Sequence, residues 1–263
     1  MLDSAQRDRR IWIVLGLMVA SLGGLLLVPP IPQDQTYHQF ADQRTLLGVP
    51  NFWNVVSNIP FIFIGALGLR QSRRDPTIIM LFLGILLTGF GSSYYHLDPS
   101  DQTLFWDRLP MAISFMAILA FTVEERVNAR AGAVLLLPLI AIGVLSLLLW
   151  RWTGDLRLYV WVQFFPCLAL PLLFLVFPPK YTGTFYWLIA AALYALAKLF
   201  EFYDGAIYSA GSILSGHTLK HFAAAAACVA ILGYFQKRRP IAASDVASRY
   251  FAGIKSTKSP GSS

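Results

Sequence analysis

The stretch TIIMLFLGILLTGFGSSYY, from Thr77 to Tyr95, carries no charged residue and decides what kind of protein this is. Crossing the hydrocarbon core of a bilayer takes about 20 mostly apolar residues in a helix. This run is long enough, and lipid forces it to be helical because its backbone groups must hydrogen-bond within the segment. It ends in polar residues: Ser92, Ser93 and then His96.

Reading outward from it finds seven more runs of the same kind. They are Ile11–Val28, Phe52–Leu69, Leu104–Val123, Ala131–Trp150, Leu158–Phe177, Tyr181–Phe202 and Leu214–Phe235. The composition agrees. Apolar residues make up 56% of the 263 residues and charged ones 13%, about half the usual charged share. Such a chain cannot cover its apolar side chains with a polar shell, so lipid must be the solvent for much of its surface. The expected fold is all-α, a polytopic membrane helix bundle with eight spans.

The formal charge of +7 is not the signature of a nucleic-acid binder, because the cations sit in short clusters between apolar runs. With the N-terminus inside, the inner segments and tail hold fifteen of the 21 lysines and arginines, and the outer loops hold Arg44, Arg151 and Arg157. The positive-inside rule then places both termini in the cytoplasm, with a bacterial cytoplasmic membrane the expected host. Residues 1–29 form a cytoplasmic N-terminus and a first transmembrane helix. The sequence Val28-Pro29-Pro30-Ile31-Pro32 is no small-x-small cleavage site, so this helix is read as a retained anchor. Residues 30–50 form an external loop with a short interfacial helix around Tyr37–Leu46. Residues 51–236 form the core, and 237–263 a disordered cytoplasmic tail. Cys167 and Cys228 lie inside apolar runs and read as packing residues.

Ionisable residues inside membrane helices are costly and mark functional sites by default. Here they are Ser92, Ser93 and His96 at the end of the third run, and Asp107 and Arg108 at the start of the fourth. Lys198, Glu201 and Asp204 end the seventh, and His217, Lys220 and His221 open the eighth. Every one of these helix ends is external, so all of these residues fall in the outer half of the membrane. His217 and His221 are one helical turn apart on one face, a spacing that suits two ligands of one metal. Three of the chain's four histidines share this layer. Three imidazoles with an open fourth position are the catalytic arrangement for Zn²⁺, and Asp107 could orient the metal's water or take its proton. Interhelical hydrogen bonding is the competing reading of the histidines. Simple pairing with Lys198, Arg108 or Lys220 is the competing reading of Glu201 and Asp204.

At these residues the chain resembles the alkaline ceramidases and the seven-helix membrane hydrolase superfamily that also includes the progestin and adipoQ receptors. Three blocks carry the resemblance. One is Asn51-Phe52-Trp53-Asn54-Val55-Val56-Ser57-Asn58. Another is Gly89-Phe90-Gly91-Ser92-Ser93-Tyr94-Tyr95-His96, followed by Trp106-Asp107-Arg108-Leu109-Pro110-Met111. The third is His217-Thr218-Leu219-Lys220-His221. The resemblance implies a seven-helix zinc amidase core plus one extra N-terminal helix. It implies that His96, His217 and His221 are zinc ligands, that Asp107 is the general base and acid, and that Ser92 steadies the oxyanion or substrate carbonyl. It does not extend to calcium. The acidic residue expected before Phe52 is Asn51, and the loop lacks the family's cluster of acids. His38 is expected in a local hydrogen-bonding network of that loop rather than as a ligand.

The function expected is a zinc-dependent hydrolase that cleaves the amide of ceramide or a related N-acyl lipid and releases a fatty acid. The alternative is a receptor or sensor with the same zinc site and little turnover. A transporter is disfavoured because the polar residues stay in one layer.

Overall fold

The computed structural model describes residues 4–72 and 75–242. Among them eight helical segments are long and apolar enough to cross a membrane, as the sequence predicts. Most of the expected tail, and Arg73 and Arg74, lie outside the described residues.

In chain order the helices are α1 (Ser4–Leu27), α2 (Phe52–Val56), α3 (Ile59–Gln71), α4 (Pro76–Leu97), α5 (Asp101–Arg126) and α6 (Ala129–Thr153). They continue with α7 (Arg157–Val176), α8 (Thr184–Phe202), α9 (Asp204–Gly211) and α10 (Gly216–Lys237). Local chemistry sets their starts. Asp75 caps α4 ahead of Pro76, Asn128 caps α6 and Ser215 caps α10, while Ser100 and Thr103 form a reciprocal capping box on α5.

α5 is the central element and packs on α4, α6 and α7. Its middle is wholly apolar where it is buried, with Ala112, Met116, Ala117 and Ala120 fully inaccessible. The α3–α4–α5 layer is drawn tight by glycine, as expected where small residues let membrane helices approach. A Cβ on Gly65 would overlap the Leu86 backbone, one on Gly84 the Ser114 hydroxyl, and one on Gly91 the Trp106 carbonyl. α8 packs chiefly on α10, and its backbone stays away from α7. Those two helices meet through side chains, with Gln163 Nε2 3.5 Å from the Tyr194 hydroxyl and Lys198 Nζ 5.6 Å from the centre of the Phe164 ring. α1 lies outside on α7, where the Trp161 indole N–H donates to Ser21 Oγ at 3.0 Å and Arg10 donates to the Val176 carbonyl.

The structure departs from the sequence reading in four places. The second apolar run is two helices: the chain breaks at Ser57–Asn58, and α3 restarts with Pro60 in its first turn. Helix around Tyr37–Leu46 shrinks to one 3₁₀ turn, Gln35–His38, capped by Asp34. Beyond it Asp42 and Arg44 bond to each other, and positive φ at Leu47, Gly48 and Asn51 turns the chain into α2. The last run is preceded by a separate short helix, α9. Finally, buried polar residues are not confined to one layer, because buried Glu125, Arg126 and Tyr234 cluster with the half-buried Arg238 at the other end of the bundle.

A candidate metal centre

His96 ends α4, and His217 and His221 sit on the first two turns of α10. All three are at least 95% buried. One ring nitrogen from each lies within 4.8 Å of the other two. The three ring centroids form an even triangle, each pair 4.9 Å apart. His38 is not among them. Its Nδ1 meets the Tyr95 hydroxyl at 2.9 Å and its Nε2 meets Asp101 at 3.0 Å, so it bonds across to α4 and α5 and not within its own loop.

The donor set fits a metal ion. His96 Nδ1 and His217 Nε2 are buried without a hydrogen-bond partner in the protein, and such atoms are expensive unless something takes their lone pairs. His221 is oriented from behind. Ser57 Oγ donates to the Asn54 carbonyl at 3.2 Å and lies 2.7 Å from His221 Nδ1. With its proton already committed, that oxygen accepts from Nδ1–H, which leaves His221 Nε2 with a free lone pair. Metal-ligating histidines are held this way as a rule. Asp204 does the same for the backbone: its Oδ1 accepts from the His217 amide at 2.7 Å and its Oδ2 from the Ala41 amide at 3.0 Å. Gly216 is required there, since a Cβ would overlap the Phe200 carbonyl. Asn51 Nδ2 donates to the His96 carbonyl at 2.9 Å. Phe40 covers the centre, with its ring 4.7 Å from His96 and 4.6 Å from His217.

Asp107, on the second turn of α5, is 8% exposed and lies beside Ser92. Gly91 allows this, because the close approach of its backbone to Trp106 sets Ser92 beside Asp107. Glu201 ties the rim together. Its carboxylate binds Lys198 at 2.7 Å and Lys220 at 3.0 Å, and accepts from the Tyr37 hydroxyl at 3.3 Å. Glu201 therefore pairs with the two lysines, whereas Asp204 caps backbone and pairs with no cation among the described residues.

Sequence reasoning passed over Ser57, Asn54, Asn51 and Phe40 as parts of the site, and it singled out Asp204 without its backbone role. A signal for the first two was present. Asn51, Asn54, Ser57 and Asn58 recur at helical spacing inside an apolar run, which is a polar stripe with a reason to exist. Nothing local marks Phe40.

Fold and site together define a polytopic helical membrane protein with a buried three-histidine centre able to hold a metal. The family model described as Ceramidase matches residues 48–235, and the chain belongs to that family. That match starts after α1 and ends within α10. No curated protein and no solved structure matches the chain.

Proposed function

We propose that this protein is a zinc-dependent hydrolase of N-acyl lipids, ceramide or a close relative, and that His96, His217 and His221 hold the zinc. The observation that carries the proposal is the pairing of the three-histidine centre with a buried carboxylate, Asp107, on the neighbouring helix. Zinc, when bound, polarises a carbonyl and makes water nucleophilic near neutral pH. The chain's own residues do the rest. Ser57, Asn51 and Asp204 fix the ligand side chains and the helix ends that carry them. Asp107 accepts the proton of the attacking water and returns it to the amide nitrogen as the carbon–nitrogen bond breaks, so that water is divided between acid and amine. Ser92 holds Asp107 and stands near the carbonyl oxygen. Phe40 excludes bulk water from one side.

The lipid assignment draws on the helix walls. An acyl chain reaching the centre from the bilayer would lie against those apolar walls. The charge distribution supports an orientation with both termini cytoplasmic and the centre toward the outer leaflet of a bacterial cytoplasmic membrane. The second polar cluster does not favour a transporter. Between it and the centre the buried face of α5 is apolar, and the buried Thr122 and Ser146 hydroxyls are spent on their own helices.

The test is fatty-acid release from ceramide and other N-acyl lipids by the purified, zinc-replete protein. Release that D107N abolishes while retaining the metal supports a hydrolase. Metal and lipid binding with no release from any N-acyl lipid leaves the receptor reading.

A further inference from the structure

Among the described residues, Arg108 is a cation of the site with no carboxylate in ion-pairing distance. It is 8% exposed, and its Nη1 is buried without a hydrogen-bond partner. Glu201 is engaged by Lys198 and Lys220. Three aromatic rings surround the guanidinium instead: Trp150 at 4.8 Å, Tyr159 at 4.9 Å and Tyr37 at 5.6 Å from its central carbon to the ring centres. Rings attract a cation through their faces, but they do not satisfy the N–H groups at its edge. Holding a fully charged arginine this way is costly in a membrane protein.

Its place is informative. Arg108 follows Asp107 on α5, and its Tyr37 neighbour reaches Glu201, which binds Lys220, the residue before His221. The cations around the centre, Arg108, Lys198 and Lys220, are matched in number by the carboxylates Asp107, Glu201 and Asp204, but both lysines are taken by Glu201 and Arg108 keeps a buried Nη1 with no hydrogen-bond partner. A guanidinium nitrogen left this way is satisfied by an acidic oxygen group of a ligand.

Resting on the hydrolase reading, we infer that the amine-side headgroup of the lipid amide carries an acidic oxygen group, such as a carboxylate, and that Arg108 binds it. The substrate class is then an anionic N-acyl lipid, and Arg108 is the residue that sets the preference.

Three ligands with one oleoyl chain test this on the full-length, zinc-replete protein in nanodiscs of neutral lipid. N-oleoylglycine has its acid on the amine side, N-oleoylethanolamine is neutral, and oleate has its acid on the acyl side. Binding is measured by competition. Wild type is expected to bind N-oleoylglycine at least about tenfold more tightly than N-oleoylethanolamine, the factor a charge-assisted hydrogen bond contributes. R108Q brings that ratio to about one, and R108K, a point charge without the fork, falls between. Equal binding of the two by wild type, or a wild-type ratio in R108Q, overturns the inference. Tightest binding of oleate, lost in R108Q, overturns it by moving the anion to the acyl side. If R108Q does not fold, R108K decides, and a ratio unchanged from wild type counts against the fork. Cleavage is followed in the same samples. A preference that depends on Arg108 without any cleavage keeps this inference and removes the hydrolase. Cleavage with no preference keeps the hydrolase and removes this inference.

Discussion

Two groups of buried ionisable residues sit near opposite ends of α5, about 27 Å apart along the helix, and they are satisfied in different ways. At the far end Glu125 spends both oxygens, one on the Tyr234 hydroxyl at 2.6 Å and the other on Arg238 at 2.7 Å. Arg126 leans on the same carboxylate at 3.7 Å and on the Phe174 ring. Each end keeps one arginine nitrogen without a hydrogen-bond partner, Arg126 Nε at the far end and Arg108 Nη1 at the other, but only the other end also leaves two histidine nitrogens without one. A group whose side chains bond one another across helices holds those helices together. A group that leaves converging histidine lone pairs is built to hold something else. Burial and charge are shared by both groups; the difference lies in which atoms are left over.

The sharpest way to break this contrast is to remove one carboxylate from each end. D107N is expected to lower kcat by about 10²–10⁴-fold, the range for general acid–base help, with metal content and melting temperature kept. Normal turnover in D107N would make Asp107 structural and erase the distinction. E125A should do the reverse. Losing one partner of a buried pair costs about 3–5 kcal/mol, so the variant melts far lower, while the metal content of its folded fraction is unchanged.

Smaller effects follow from the residues behind the ligands. S57A frees His221 Nδ1 and should weaken metal affinity by about 10–100-fold, read by competition with a chelator. Unchanged affinity would make Ser57 merely a helix-breaking residue.

The loop that delivers Phe40 gives the smallest effect. Burial opposes ionisation of Asp42, but hydrogen bonds from Arg44 outweigh it and hold the carboxyl below the usual range. A depressed folded value means the pair stabilises above the unfolded value, about 3.9, and the contribution fades as pH falls through the folded one. D42N should therefore lower the melting temperature by a few degrees at pH 7, with the gap to wild type closing in acid. Calcium should change neither activity nor melting temperature, because Arg44 already takes both Asp42 oxygens and leaves no charged cage for a hard cation.

The fold was legible because bilayer thickness writes itself into run length, as in Thr77–Tyr95. The histidine triangle was legible for two reasons: helical spacing puts His217 and His221 on one face, and the order of spans brings His96 to their level. What escaped reading had weak local signals. The break at Ser57–Asn58 hides in an apolar run because a few small polar residues leave the run long enough to read as one span. Glu125 and Arg126 look like loop charges at the end of a run, and only tertiary packing buries them. Asp204 looked like a pairing carboxylate, yet its partners are backbone amides of Ala41 and His217, which no side-chain pattern announces. The charge-answering Asp42–Arg44 pair lies in a loop where helix seemed natural by composition. Sidedness rests on charge counting, and single cysteines at Ser100 and Ser244, in a background lacking Cys167 and Cys228, check it. An impermeant thiol reagent on intact cells should label the first and spare the second, and the reverse would move the centre to the cytoplasmic side.

The central claim is that the leftover nitrogens of His96, His217 and His221 belong to one metal. Elemental analysis of the purified protein, beside H217A and E125A, tests it most directly. The account requires close to one zinc per wild-type chain, the same for folded E125A, and loss of the metal in H217A. Equal zinc in wild type and H217A, or none in wild type purified without chelator, would contradict it.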